Sequence, residues 1–164
     1  DAQESRGLGD VYKEAVTAGK DKIILSADTI VINTGAVAIK PNISGIDTAT
    51  GFYNSTEIQQ LPTQPSTLGV IGAGPIGLEF ASLYAKLGAK VTVFNIESSI
   101  LKREEPIVQE LATEYLTEQG ITILNNVTLD SVSNDDNKPV IKANNQNYTF
   151  DACLLYTSPS PRDS

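Results

Sequence analysis

The middle of the chain alternates short apolar runs with longer segments whose apolar residues recur at the helical period. Residues 68–71 and 90–94 are short and apolar, which is typical of buried parallel strands. Residues 75–87 lie between these runs and begin with a proline, which the first turn of a helix tolerates well. Their apolar positions share one helix face: Ile76, Phe80, Leu83 and Leu87. The pattern predicts a strand, a helix and a second strand.

The same alternation continues towards the C-terminus. Residues 104–119 predict a second helix, with Pro106 in its first turn and Gly120 as its stop signal, just as Gly88 follows the first helix. Residues 121–124 predict a third strand. Three short strands follow at 127–132, 139–142 and 148–150, and a last apolar strand covers 153–156. We expect an α/β fold, in which a Rossmann-like domain with a parallel sheet carries a small antiparallel β-meander.

The N-terminal part of the chain carries weaker signals. Residues 11–18 predict a short helix, and the apolar, β-branched runs at 23–25 and 29–32 predict strands. The second run ends in the turn-forming sequence Asn33-Thr34-Gly35. Residues 36–66 are loop-rich, and we interpret them as an interdomain connection in which Ser55 or Thr56 caps a short helix over 57–61.

Composition and charge narrow the classes of function. Of the 164 residues, 40% are hydrophobic and 20% are charged, which is a globular composition. The net charge of −8 disfavours a nucleic-acid partner, because an acidic surface repels phosphates. The chain has no histidine, the commonest metal ligand and general base, and we expect no metal site. No apolar run approaches the roughly 20 residues of a membrane span, and the single cysteine fits a reducing, cytoplasmic setting.

The motif that carries chemistry is a glycine-rich turn between the strand at 68–71 and the helix at 75–87: Gly72-Ala73-Gly74-Pro75-Ile76-Gly77. Gly72 permits a tight turn, Gly74 lets the backbone approach a pyrophosphate, and Gly77 lets the helix lie close to the strand. The helix N-terminus then presents N–H groups to the phosphates. Because this GxGxxG pattern lies between a predicted strand and a predicted helix, it indicates a dinucleotide site.

The end of the strand at 90–94 bears on the choice of dinucleotide. An acidic residue that binds the ribose hydroxyls is expected there, but Asn95 occupies the place, with Glu97 two residues on. An asparagine can bond a ribose hydroxyl without repelling a 2′-phosphate, and Lys102 or Arg103 could neutralise that phosphate. These two cations could equally form a solvated pair before the next helix. NADH and NADPH therefore both remain open.

Four segments of the chain resemble one family of enzymes. They are residues 27–35 (ADTIVINTG), 53–56 (YNST), 72–81 (GAGPIGLEFA) and 150–152 (FDA). In this order and spacing, from Asp28 to about Tyr156, the chain is similar to the class I pyridine nucleotide–disulfide oxidoreductases. These include glutathione reductase, dihydrolipoamide dehydrogenase and mercuric reductase, of which the last two match best.

The resemblance implies an FAD-dependent homodimer in which an NAD(P) domain is inserted into an FAD domain. Such enzymes pass a hydride from NAD(P)H to FAD and then electrons to a disulfide or a small-molecule oxidant. By this likeness Thr34 and Gly35 would lie near the flavin cofactor, and the glycines of the turn would cradle the NAD(P) pyrophosphate. Glu79 would lie near the contact of nicotinamide and flavin, in a catalytic position.

The chain also departs from the family pattern. The FAD-domain glycine motif, the paired redox cysteines and the C-terminal His-Glu pair are absent from the sequence, and Pro75 replaces an aromatic gate. Cys153 lies in an apolar strand and is interpreted as a buried hydrophobe. We therefore expect a fragment that binds a dinucleotide but is inactive by itself. Residues 1–41 would end the first FAD-domain segment, 42–156 would form the NAD(P) domain, and 157–164 would be a non-native or disordered tail.

Two alternatives remain at the level of sequence. One is a dehydrogenase with a single Rossmann domain, which hands hydride straight to a substrate; the missing histidine counts against it. The other is a non-catalytic module that senses NAD(P). The residues that would select an electron acceptor are not among the motifs of this chain.

Overall fold

A computed structural model of the chain describes residues 12–18, 20–31 and 41–155. The chain divides into two compact units, Asp1–Ala36 and Val37–Ser164. In the first unit β1 (Tyr12–Ala18) and β2 (Asp21–Ala27) form an antiparallel pair of strands. The strand predicted at 23–25 is confirmed within β2.

Two predictions for the first unit are wrong. The helix predicted at 11–18 is strand β1, because a helix this short is marginal on its own and pairing with β2 satisfies the backbone of the whole segment. The strand predicted at 29–32 is not formed over Thr29–Val31, for which the described chain offers no neighbouring strand to pair with. An apolar run shows that a segment suits a sheet, but it supplies no partner.

The second unit is built on a five-stranded parallel sheet with two helices, which confirms the α/β fold. Its strands, in spatial order, are β3 (Phe52–Tyr53), β10 (Ala152–Leu155), β4 (Thr67–Ile71), β5 (Lys90–Phe94) and β6 (Thr122–Leu124). Helix α1 (Pro75–Lys86) connects β4 to β5, and α2 (Pro106–Glu118) connects β5 to β6. Gly88 and Gly120 follow these helices with positive φ angles of 94° and 79°, as helix-ending glycines do.

The predicted meander is also confirmed. It consists of β7 (Leu129–Asp135), β8 (Lys138–Ala143) and β9 (Gln146–Thr149), joined as antiparallel hairpins. The hairpin turns are the residue pairs Asp136-Asn137 and Asn144-Asn145, and all four residues have positive φ angles between 47° and 62°. Asn and Asp tolerate this conformation best among residues with a side chain, and the resulting twist suits two-residue hairpins.

Each face of the parallel sheet carries a separate hydrophobic core. Val70, Val93 and Leu154 point to the helices, and Ile71, Phe94 and Cys153 point to the meander. On the meander side, Phe94 makes an edge-on ring contact with Tyr148, with a centroid distance of 5.1 Å. The unit is therefore three-layered, with helices, parallel sheet and meander in turn. None of the helices in the described residues is long and apolar enough to cross a membrane.

Local details of two helices differ from expectation. In α1 the buried residues are Gly77, Leu78, Ala81 and Tyr84, whereas Leu83 and Leu87, predicted on the apolar face, are 48% and 54% exposed. The buried face includes the small residues Gly77 and Ala81, which let the helix backbone approach the sheet closely. The short helix near 57–61 is a 3₁₀ turn at Ile58–Gln60. Its N-cap is Glu57, not Ser55 or Thr56, and the preceding turn is held by Asn54, whose Oδ1 accepts from the backbone N–H of Glu57 at 2.9 Å.

Candidate functional site

The glycine turn lies between the end of β4 and the start of α1. Gly72 has a φ of 110°, a conformation that favours glycine, and its N–H donates to the carbonyl of Phe94 at 3.0 Å. Gly74 is the N-cap of α1, and Pro75 follows in the first turn. No side chain caps the first N–H groups of the helix. These groups are therefore directed out of the helix end towards any ligand in front of it.

Two glycines of the turn serve different purposes. A Cβ atom on Gly77 would lie 2.3 Å from the carbonyl oxygen of Gly72, so only glycine lets the helix pack this closely on the turn. A Cβ atom on Gly74 would meet no heavy atom within 4 Å. Gly74 therefore leaves open space in front of the helix, where a ligand could touch the backbone.

A cavity of about 570 Å³ opens at this place. The glycine turn supplies one wall of the cavity, with Gly72, Ala73, Gly74 and Pro75. The loop after β5 supplies another wall and includes the three other predicted residues of this region: Asn95, Lys102 and Arg103. The N–H of Leu101 donates to the carbonyl of Ala73 at 3.1 Å, which ties the two walls together.

Other predicted site residues lie elsewhere. Ile76 and Gly77 are in the first turn of α1 and do not line the cavity, and Gly77 is buried. Glu79 is exposed on α1, outside the cavity wall, and its catalytic position stays a prediction. Thr34 and Gly35 lie outside the described residues.

Asn95 has a different environment from the one expected. The residue is only 5% exposed. Its Nδ2 donates to the carbonyl of Glu97 at 3.2 Å and to Oδ1 of Asn125 at 2.8 Å, while its Oδ1 accepts from the N–H of Glu97 at 3.3 Å. Buried amides are normally satisfied in this way. The side chain of Asn95 thus holds the loop after β5 in place.

Glu97 was not among the predicted ligands, yet its carboxylate lies at the cavity and pairs with Lys102. The side chains of Lys102 and Glu97 are 60% and 41% exposed, so the pair faces solvent at the mouth of the cavity. Glu97 lies three residues beyond the end of β5, and this nearness to a strand end was a usable signal. The apolar wall formed by Pro41, Ile43 and Leu129 had no such signal, because it comes from segments distant along the chain.

Cys153 takes no part in this site. It is fully buried in β10, as expected. Burial raises the pKa of its thiol far above the ordinary value, so the nucleophilic thiolate is suppressed. Within the described residues no three His, Cys, Asp or Glu side chains are grouped to hold a metal ion. The chemistry available at the cavity is therefore binding by backbone N–H groups and by the charges of the loop after β5.

Comparison with known proteins identifies the family of this chain. Residues 5–163 match the family model described as pyridine nucleotide-disulphide oxidoreductase. The probable pyridine nucleotide-disulfide oxidoreductase RclA of Escherichia coli strain K12 is 34% identical over 137 residues, covering 84% of this chain and 31% of RclA. A mercuric reductase of Bacillus cereus is 37% identical over 111 residues, covering 68% of this chain and 17% of that enzyme.

A solved structure agrees with this result. The Cu(II) complex of the HOCl-induced flavoprotein disulfide reductase RclA from Escherichia coli matches with a TM-score of 0.77 and 32% identity. The match covers 89% of this chain and 33% of that one, so the chain spans about a third of the structure it resembles. By sequence and by fold, the chain belongs to the pyridine nucleotide-disulphide oxidoreductase family.

Proposed function

We propose that this chain is the NAD(P)-binding part of an FAD-dependent oxidoreductase and holds the nucleotide in the cavity before α1. The observation that carries the proposal is the open space at Gly74, in front of uncapped N–H groups at the N-terminus of α1. Such a helix end binds phosphate groups, because its N–H groups and the helix dipole both favour negative charge.

The residues present fit a dinucleotide. Gly72 and Gly74 would let the pyrophosphate approach the backbone, while the loop after β5 would contact the adenosine ribose. The cavity volume of about 570 Å³ is in the ordinary range for small-molecule sites. The acidic net charge does not exclude this binding, because the pyrophosphate would meet the backbone N–H groups at the start of α1.

For the whole protein we propose transfer of a hydride from NAD(P)H to FAD, and of electrons onward to a disulfide or another small-molecule acceptor. Relatives named as a flavoprotein disulfide reductase and as a mercuric reductase support this class of reaction. The nicotinamide cofactor supplies the hydride. Thr34 and Gly35 near the flavin, Glu79 near the nicotinamide, a homodimer and a cytoplasmic location belong to the same proposal. Because the chain has one cysteine, and that one buried, the redox disulfide would come from elsewhere in the protein.

Family membership favours this function over a dehydrogenase with a single Rossmann domain. A non-catalytic NAD(P)-sensing module would use the same cavity. The two functions differ only in whether the bound nucleotide passes a hydride to FAD. Alone, the chain should bind nucleotide and reduce no acceptor.

Calorimetric titration of the chain with NADH, NADPH and FAD tests the proposal. We expect saturable binding of a nicotinamide nucleotide and none of FAD. Gly74→Val should abolish binding at only a small cost in melting temperature, because the extended backbone at Gly74 (φ −79°, ψ 172°) suits a β-branched residue and its Cβ atom would meet no heavy atom within 4 Å, although valine is a poorer N-cap than glycine. Equal binding by wild type and Gly74→Val would contradict the site, and a folded wild type that binds neither nucleotide would contradict the function.

A further inference from the structure

The end of β5 is where Rossmann folds place the group that binds the ribose hydroxyls. Asn95 occupies this position, but both hydrogens of its amide are already donated, one to the Glu97 carbonyl at 3.2 Å and one to Asn125 Oδ1 at 2.8 Å, and the residue is 5% exposed. Donating from this amide to a ribose would break bonds that hold the loop. Asn95 is a positioning residue.

What Asn95 positions is Glu97. The N–H of Glu97 donates to Asn95 Oδ1 at 3.3 Å, and the Glu97 carbonyl also accepts from the N–H of Asn126 at 2.9 Å. The backbone of Glu97 is thus fixed on both sides. Its side chain is 41% exposed, the residue lines the cavity, and its carboxylate forms an ion pair with Lys102. Glu97 therefore has a fixed backbone and an accessible acceptor, which Asn95 lacks.

We propose that Glu97 takes over the ribose-binding role and makes the site prefer NADH to NADPH; this inference rests on the proposed NAD(P) site. A carboxylate accepts hydrogen bonds from both hydroxyls of a ribose diol, and it repels a 2′-phosphate. Lys102 does not offset this repulsion. If its ammonium group turned to the 2′-phosphate, the carboxylate of Glu97 would lose its partner and lie unpaired beside that phosphate. The preference for NADH would then be set by Glu97, two positions beyond the residue that usually binds the ribose.

The test is titration of NADH and NADPH, with adenosine-containing fragments as a second probe, against wild type and three variants. The variants are Glu97→Gln, Lys102→Gln and Glu105→Gln. Glu105→Gln is the matched control, because it makes the same charge change just outside the cavity wall. NADH and ADP-ribose carry the free diol, whereas NADPH and 2′-phospho-ADP-ribose do not.

We expect wild type to bind NADH at least about tenfold more tightly than NADPH, and Glu97→Gln to remove most of that ratio by weakening NADH about tenfold. Glu105→Gln should keep the wild-type ratio. An NADPH preference in wild type, a selective loss of NADPH binding in Lys102→Gln, or an unchanged ratio in Glu97→Gln would each overturn the inference while leaving the nucleotide site intact. Absence of binding to either nucleotide by folded wild type would overturn the site as well.

Discussion

Gly77 lies against the carbonyl oxygen of Gly72, so closely that a Cβ atom on Gly77 would be 2.3 Å from that oxygen. The contact joins the first turn of α1 to the end of β4, and both ends of it are backbone. A flexible side chain could move aside, but this carbonyl belongs to the turn that shapes the cavity. This backbone contact therefore sets both how closely α1 packs on the sheet and what shape the candidate site has.

Gly77→Ala should destabilise the chain by about 2–3 kcal/mol, because overpacking against rigid backbone forces α1 away from the turn. Gly74→Ala is the matched control, since its new methyl group meets open space, and it should change stability by less than about 1 kcal/mol. Urea unfolding followed by circular dichroism measures both variants. Equal midpoints for Gly77→Ala and wild type would show that the helix shifts without cost.

Asn95→Asp should destabilise the chain by about 2 kcal/mol, although it restores the acidic residue common at this place in NAD-binding folds. An aspartate cannot donate to the Glu97 carbonyl or to Asn125 Oδ1, so it would bring a buried charge next to two acceptors that have lost their donor. Asn147→Asp, an exposed change of the same charge, is the control. Thermal unfolding at pH 7 measures both. A variant as stable as wild type that binds NADH more tightly would contradict the positioning role of Asn95.

The elements of the second unit were largely predictable because their signals are local. The glycine turn, the first-turn prolines and the glycines after α1 and α2 fix where each helix begins and ends. The place of β10 between β3 and β4 was not predictable, because no local pattern shows which neighbour a returning strand will pair with. For the same reason the local pattern of residues 11–18 wrongly predicts a helix, whereas pairing with β2 makes this segment strand β1.

The candidate site, too, was predictable only where its signals are local in the sequence. Residues at the glycine turn and after β5 could be named because strand ends in a parallel sheet meet at one edge. The role of Asn95 could not, since its interactions are with Glu97 and Asn125, and the second of these lies on the loop after β6. The apolar wall from Ile43 and Leu129 likewise depends on how the meander packs on the sheet.

Asp151 should make the stability of the chain depend on pH in the acid range. The hydrogen bond from Lys138, at 2.9 Å, is the main cause that lowers the pKa of its carboxyl, and the hydroxyl and N–H of Thr67 lower it further. A carboxyl with a lowered folded pKa stabilises the fold above its unfolded pKa of about 4, and this contribution disappears as pH falls through the folded pKa.

Asp151→Asn should therefore lower the free energy of unfolding by about 1 kcal/mol at pH 7, a modest value because the ion pair is partly exposed to solvent. The difference from wild type should shrink steadily below about pH 4. Asp47→Asn, an exposed change of the same charge, serves as control. Urea unfolding at a series of pH values measures the three proteins. If the free energy of unfolding of Asp151→Asn differed from that of wild type by a constant amount down to about pH 2, the effect would come from the shape of the side chain and not from its charge.

Cys153 should be unreactive towards thiol reagents in the folded chain. Its side chain is fully buried, and burial raises the pKa of the thiol, so both access and thiolate are suppressed even at about pH 9. With 5,5′-dithiobis(2-nitrobenzoic acid) we expect no fast release of thionitrobenzoate from the native chain and one equivalent after unfolding in guanidinium chloride. A Val132→Ala variant, which leaves a cavity in the same core that holds Cys153, should speed the native reaction by increasing the unfolded population. Fast stoichiometric labelling of the native wild type would mean that β10 opens readily, and it would reopen a redox role for this thiol.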